Sequence, residues 1–270
     1  MRHEKVHHSQ NAVPSPDAEL VVAGLTVRFG GITALDDVSF SVPRGAICGL
    51  IGPNGAGKTT CFNCISGVYA SSAGSVDLGG IRLTGKPRHA IARAGVGRTF
   101  QNLALFPSLS VRDNVLVGAH GLGRGGFLAS MLATPDVRRS ESELSGRVNG
   151  LLKRYDLDGV QHSKVNELPF ATQKRVELAR ALAGAPRLLI LDEPAGGLNH
   201  EEVDALADQI RRLRDEDGIT VLLVEHHMNL VMRVSDKVVV LNFGKKIADG
   251  PPREVRANPA VVSAYLGGGE

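Results

Sequence analysis

The chain has 270 residues, 43% apolar and 22% charged, with 31 Lys and Arg against 28 Asp and Glu for a formal charge of +3. That mix is an ordinary globular one and excludes disorder, collagen and disulfide scaffolds. No apolar run approaches the roughly 20 residues of a membrane span, and the near balance of charge gives no reason to expect a nucleic acid partner.

The opening residues, Met1 to Gln10, are polar and rich in His and Lys, with no apolar stretch after them. No secretory signal is read there, and a cytosolic protein is expected. Residues 1–18 lack periodicity and read as a mobile tail, leaving 19–270 as one domain. From Leu20 short strands begin, with Val38, Phe40 and Val42 alternating against Ser39 and Ser41. Residues 46–51 form a continuous apolar run, the pattern of a strand covered on both faces. Residues 188–191, 221–224 and 238–241 repeat it. Between them Val203, Leu206, Ala207, Ile210 and Leu213 fall at helical spacing. Buried strands alternating with helices predict an α/β core with a mostly parallel sheet.

From about 101 to 184 no such strand is read. Leu144, Val148, Leu151, Leu152 and Tyr155 follow a helical period, and a second helix is predicted through Val176, Ala179 and Leu182. A helical insertion therefore interrupts the sheet.

The run at 46–51 leads straight into Gly52, Pro53, Asn54, Gly55, Ala56, Gly57, Lys58, Thr59 and Thr60. This is G-x-x-x-x-G-K-[ST], lying after a strand and before an apolar helix. Glycines there let successive backbone N–H groups wrap phosphate oxygens, and the helix N-terminus adds partial positive charge. Lys58 can reach β- and γ-phosphates, and the Thr59 hydroxyl can hold Mg²⁺. The run at 188–191 ends in Asp192, Glu193 and Pro194. One carboxylate suits the metal's water shell, and the next suits a proton acceptor for an attacking water.

With GPNGAGKTT, LLILDEP and a later strand ending in Glu225 and His226, the chain resembles the ATP-binding subunit of an ABC transporter from Leu20 to Gly267. The resemblance implies a P-loop cassette with an N-terminal antiparallel β subdomain and an inserted α-helical subdomain. It implies ATP and Mg²⁺, with Phe29 stacking on adenine. Gln101 would contact the metal and the water and face the membrane partner. Glu193 would be the general base, and His226 would bridge to the γ-phosphate. Asn199 falls on the loop that crosses the dimer interface in the family. The signature segment, usually L-S-G-G-Q, here reads Leu168, Pro169, Phe170, Ala171, Thr172 and Gln173. It acts on the opposite subunit's nucleotide. Pro169 has neither hydroxyl nor N–H to offer there, and Ala171 puts a Cβ where the family has Gly. This departure favours a second, non-identical ATPase partner.

Residues 98–102 (RTFQN), 127–139, 225–228 (EHHM) and the C-terminal 255–267 further resemble branched-chain amino acid importer ATPases. That class implies two transmembrane permeases, an extracytoplasmic solute-binding protein acting indirectly, and a place on the cytoplasmic face of the membrane. Urea and amide importers share most of these segments, and a soluble ABC ATPase is the reading from another class. Nothing in the chain touches a transported solute. Cys48, Cys61 and Cys64 are read as structural thiols, and the GLGRGG run at 121–126 as a loop.

Overall fold

The computed structural model describes residues 17–99, 103–122 and 135–266. Two sheets and a set of helices form the protein. The first sheet is antiparallel, in the order β2-β1-β4-β5, from β1 (Ala18–Phe29), β2 (Ile32–Pro43), β4 (Ala73–Leu78) and β5 (Ile81–Arg82). The second has six strands in the order β10-β9-β3-β8-β7-β6. Its members are β3 (Ile47–Ile51), β6 (Val96–Arg98), β7 (Leu188–Asp192), β8 (Thr220–Val224), β9 (Lys237–Asn242) and β10 (Lys245–Gly250). All its neighbours pair in parallel except β10 against β9. The mostly parallel core is therefore as expected.

The N-terminal strands depart from the expectation of short segments. Both β1 and β2 run for 12 residues. Register shifts at several points along their pairing break the alternation, so only the stretch around Val38, Phe40 and Val42 reads cleanly in period two. β1 begins at Ala18, inside the tail expected over 1–18, and residues 1–16 of that tail lie outside the described residues.

The apolar strand runs split by parity. Ile47, Ile51, Leu189, Leu191, Val221, Leu223, Val238 and Val240 join one core cluster, while Cys48, Leu50, Leu188, Ile190, Leu222, Val224, Val239 and Leu241 join another. Successive side chains of a strand point to opposite faces, so a strand with no polar face must be covered twice. One cover is helical: α3 (Val111–Ala119), α4 (Pro135–Arg154), α5 (Phe170–Ala183), α6 (His200–Asp215) and α7 (Met228–Val234). The other is α1 (Lys58–Ile65) together with the antiparallel sheet and α2 (Arg88–Arg93). The three cysteines lie in this second core. Burial pushes the Cys48 thiol up to about 12 and Cys64 to about 11, which suits structural rather than redox or zinc chemistry.

The predicted helices at 144–155 and 176–182 are α4 and α5. Among the described residues between β6 and β7 there is no strand, only an isolated bridge between Ser110 and Lys164. Two short helices, α8 (Pro252–Ala257) and α9 (Pro259–Leu266), end the described chain. Among the described residues no helix is long and apolar enough to cross a membrane. The two sheets are riveted by Glu19 of β1, whose side chain is 2% exposed and meets Arg44 at 2.9 Å and Arg187, just before β7, at 2.7 Å.

Candidate functional site: a phosphate loop facing two acids

Parallel strands present their carboxyl ends to one edge of the sheet, where ligands of open α/β folds bind. β3 delivers the loop 52–60 to that edge, β7 delivers Asp192 and Glu193, and β8 delivers Glu225 and His226. Gly52, at φ 152°, lies so close to β9 that a Cβ there would meet the Leu241 carbonyl oxygen at 2.2 Å. Gly55, at φ 77°, has open space around it, so its need for Gly is conformational alone. Gly57 is the N-cap of α1 and has no side-chain cap, which leaves the first turn's N–H groups facing the loop. Lys58 folds back over the loop, its Nζ donating to Gly52 O at 2.6 Å and Pro53 O at 2.9 Å. Burial lowers its pKa, opposed by the nearby charge of Glu193. Lys58 and Glu193 are thus neighbours across the site.

Asp192 ends β7 with a side chain 8% exposed, and its Oδ2 lies 3.5 Å from Arg98 Nη2. Burial raises its pKa, and the Arg98 charge opposes the rise. Glu193 follows at φ 47°, a left-handed conformation that a non-glycine residue adopts at a cost of roughly 1–3 kcal/mol. Its N–H is held by Val224 O at 2.8 Å, so the strain is fixed by β8. His226 is exposed, and its Nδ1 lies 3.8 Å from Glu193 Oε2 and 3.9 Å from Glu225 Oε2.

Two side chains at the site, Glu225 and Arg98, were given no role in the sequence reading beyond their place in segments of resemblance. Glu225 is 1% exposed and orders the loops beside it. Its Oε1 accepts from Ala195 N at 2.8 Å, and its Oε2 accepts from His226 N at 3.0 Å and His227 N at 3.1 Å. A carboxylate directly after a fully apolar strand was the available clue. Arg98 is the other, a cation at the end of a three-residue strand.

Phe29 closes β1, 46% exposed, with its ring edge-on to Tyr69 at 5.3 Å between centroids. Pro169 is the N-cap of α5 without a side-chain hydrogen bond, so Leu168 precedes the helix while Phe170, Ala171, Thr172 and Gln173 form its first turn. The Thr172 hydroxyl accepts from Arg175 at 3.2 Å, and Gln173 donates to Leu168 O at 2.8 Å. Asn199 caps α6 reciprocally with Glu202. Gln101, residues 127–134 and the glycines at 123–126 lie outside the described residues. Thr59 and Asp192 offer hard oxygen donors of the kind Mg²⁺ takes, so the residues present fit a magnesium nucleotide.

Comparison with known proteins agrees with this geometry. The family description "ABC transporter" matches residues 35–196, and "Branched-chain amino acid ATP-binding cassette transporter" matches residues 245–270. The chain belongs to the ABC transporter family, as its ATP-hydrolysing cassette. It is 46% identical to the high-affinity branched-chain amino acid transport ATP-binding protein BraF of Pseudomonas aeruginosa, over 92% of this chain and 97% of that one. It is 43% identical to LivG of Escherichia coli, a protein of the same description, over the same shares. Among solved structures, a nucleotide-free ATP-binding cassette from an ABC transporter matches with a TM-score of 0.79 and 29% identity, covering 92% of this chain and 98% of that one. The ADP conformation of another such cassette matches with a TM-score of 0.79 and 30% identity, covering 93% and 99%.

Proposed function

We propose that this chain powers the uptake of branched-chain amino acids from the cytoplasmic face of the cell membrane. Its partners would be two transmembrane permeases and a second, non-identical ATPase, served indirectly by an extracytoplasmic solute-binding protein. The family match over residues 245–270 carries this reading, because its description names branched-chain amino acids and it lies outside residues 35–196, which the general ABC transporter description matches.

ATP would sit with its adenine on Phe29 and its phosphates in loop 52–60, where Lys58 exchanges its loop carbonyls for β- and γ-phosphate oxygens. Thr59, Asp192 and Gln101 would hold Mg²⁺, which neutralises charge on those oxygens. Glu193 accepts a proton from the attacking water, and His226, within reach of Glu193, bridges to the γ-phosphate. Segment 168–173 would close over the partner's nucleotide. The rigid Pro169 and the Cβ of Ala171 weaken that contact, a fault carried twice in a homodimer and once in a heterodimer. ATP binding closes the dimer, and loss of the γ-phosphate reopens it.

The test is uptake of labelled leucine, isoleucine and valine in cells lacking the chain, complemented with wild type or Glu193→Gln, with urea as control solute. Rescue of leucine uptake by wild type alone is expected, and a response of urea alone would overturn the cargo. In purified protein, Glu193→Gln should keep ATP binding and lose about 10²-fold or more in turnover. Retained multiple turnover would remove Glu193 from the role of base.

A further inference from the structure

Arg98 ends β6, opens the RTFQN segment three residues before Gln101, and has so far been given no role in the site. Its guanidinium nevertheless reaches both the helix that follows the phosphate loop and the acid that follows β7. Nη1 donates to Asn63 Oδ1 at 2.9 Å, in the last turn of α1, and to Ser66 Oγ at 2.8 Å, at the residue that caps the helix. Nη2 lies 3.5 Å from Asp192 Oδ2. The guanidinium carbon sits 4.1 Å over the ring of Phe62, also in α1, and the side chain is only 14% exposed. A planar fork with five donors holds several partners at fixed angles, which an ammonium on a flexible stem cannot do.

The phosphate loop follows β3 and the acids follow β7, and β8 lies between those strands. We infer that Arg98 is a positioning residue of the ATP reaction, a brace that sets the helix carrying Lys58 and Thr59 at a fixed distance from Asp192. This inference rests on the reading of Thr59 and Asp192 as the metal-holding pair. Loop N–H groups and Lys58 suffice to bind nucleotide without metal, whereas gripping a magnesium nucleotide needs both halves at the correct spacing. Removing the brace should therefore separate metal-free binding from metal-dependent binding and turnover.

The experiment uses the full chain and four variants, Arg98→Lys, Arg98→Met, Ser66→Ala and Thr59→Ala. A fluorescent ATP analogue is titrated in EDTA and in Mg²⁺, with single-turnover hydrolysis and melting temperature measured alongside. Arg98→Lys keeps the charge and loses the fork. It should bind within about twofold of wild type in EDTA, and lose about tenfold both in the affinity gained from Mg²⁺ and in rate. Arg98→Met should lose at least as much. Ser66→Ala removes one arm of the brace and leaves the Asp192 pair in place. It should move both quantities the same way by about threefold, with a melting temperature within about 2 °C of wild type. If Arg98→Lys and Ser66→Ala keep the wild-type magnesium gain and rate, whatever their melting temperatures, Arg98 is scaffold and the inference falls. If the Arg98 variants do not fold, Ser66→Ala decides by the same criterion. An undiminished magnesium gain in Thr59→Ala would instead sink the metal reading beneath the inference. A reduced gain there beside an unchanged one in Arg98→Lys sinks the inference alone.

Discussion

Gly52 and Gly55 stand three residues apart in one loop, yet they tolerate a methyl group very differently. At Gly55 a Cβ meets nothing within 4 Å, so Gly55→Ala bears only the strain of φ 77°, about 1 kcal/mol. At Gly52 the same methyl collides with the Leu241 carbonyl oxygen at 2.2 Å, and the backbone of β9 has no rotamer with which to yield. Gly52→Ala should cost roughly 3 kcal/mol or more and abolish ATP binding, while Gly55→Ala should keep its fold. Chemical denaturation and nucleotide titration of the two variants check this, and equal stability would refute the geometric distinction. The spacing of G-x-x-x-x-G-K-T marks Gly52 and Gly57, leaves Gly55 at a free position, and gives the reason for none of them. What Glu225 and Arg98 hold together was hidden for a related cause. Apart from the N–H groups of residues 226 and 227 beside Glu225, their partners stand some 30 to 90 positions away in sequence, and no local pattern encodes those contacts.

Elements announced themselves in proportion to their burial. β3, β7 and β8 are buried at every residue and read as unbroken apolar runs. β6 holds three residues, one of them Arg98, and β10 is an edge strand with none fully buried, so neither carries a period to detect. Helix α6 was legible on its apolar face, but its start is set by a device beyond that pattern. Asn199 Oδ1 accepts from Glu202 N at 3.0 Å, while Glu202 Oε2 accepts from Asn199 N at 2.8 Å. A residue expected to serve the dimer interface is thus also a helix cap. Asn199→Ala should destabilise the protein by about 1 kcal/mol, lowering the melting temperature by about 2–4 °C. Asn199→Asp, which caps as well and favours the helix dipole, should melt within about 1 °C of wild type. A calorimetric scan separates the two, and a neutral Asn199→Ala would show the cap to be idle.

At the scale of the whole molecule, the six-stranded sheet is assembled out of chain order. β3 pairs with β8 at Ile47 and Val221 and with β9 at Ile51 and Val240, so both its neighbours come from the last fifth of the chain. The loop that follows it leans on β9 through Gly52 and Leu241, and on the β9–β10 turn through the bond from Gly244 N to Ala56 O at 3.1 Å. A fragment ending at residue 219 would contain the complete phosphate loop and both acids, but neither strand that holds β3 flat. It should not bind the fluorescent ATP analogue, and binding should appear only when residues through 242 are present. A 219-residue fragment with wild-type affinity would overturn this. During synthesis, therefore, the phosphate loop leaves the ribosome long before it can work. Nucleotide cannot template the early stages of folding, and a premature stop between the phosphate loop and β9 yields a chain that carries the motif without the competence. For the cell, a bound ATP certifies a chain made at least through β9.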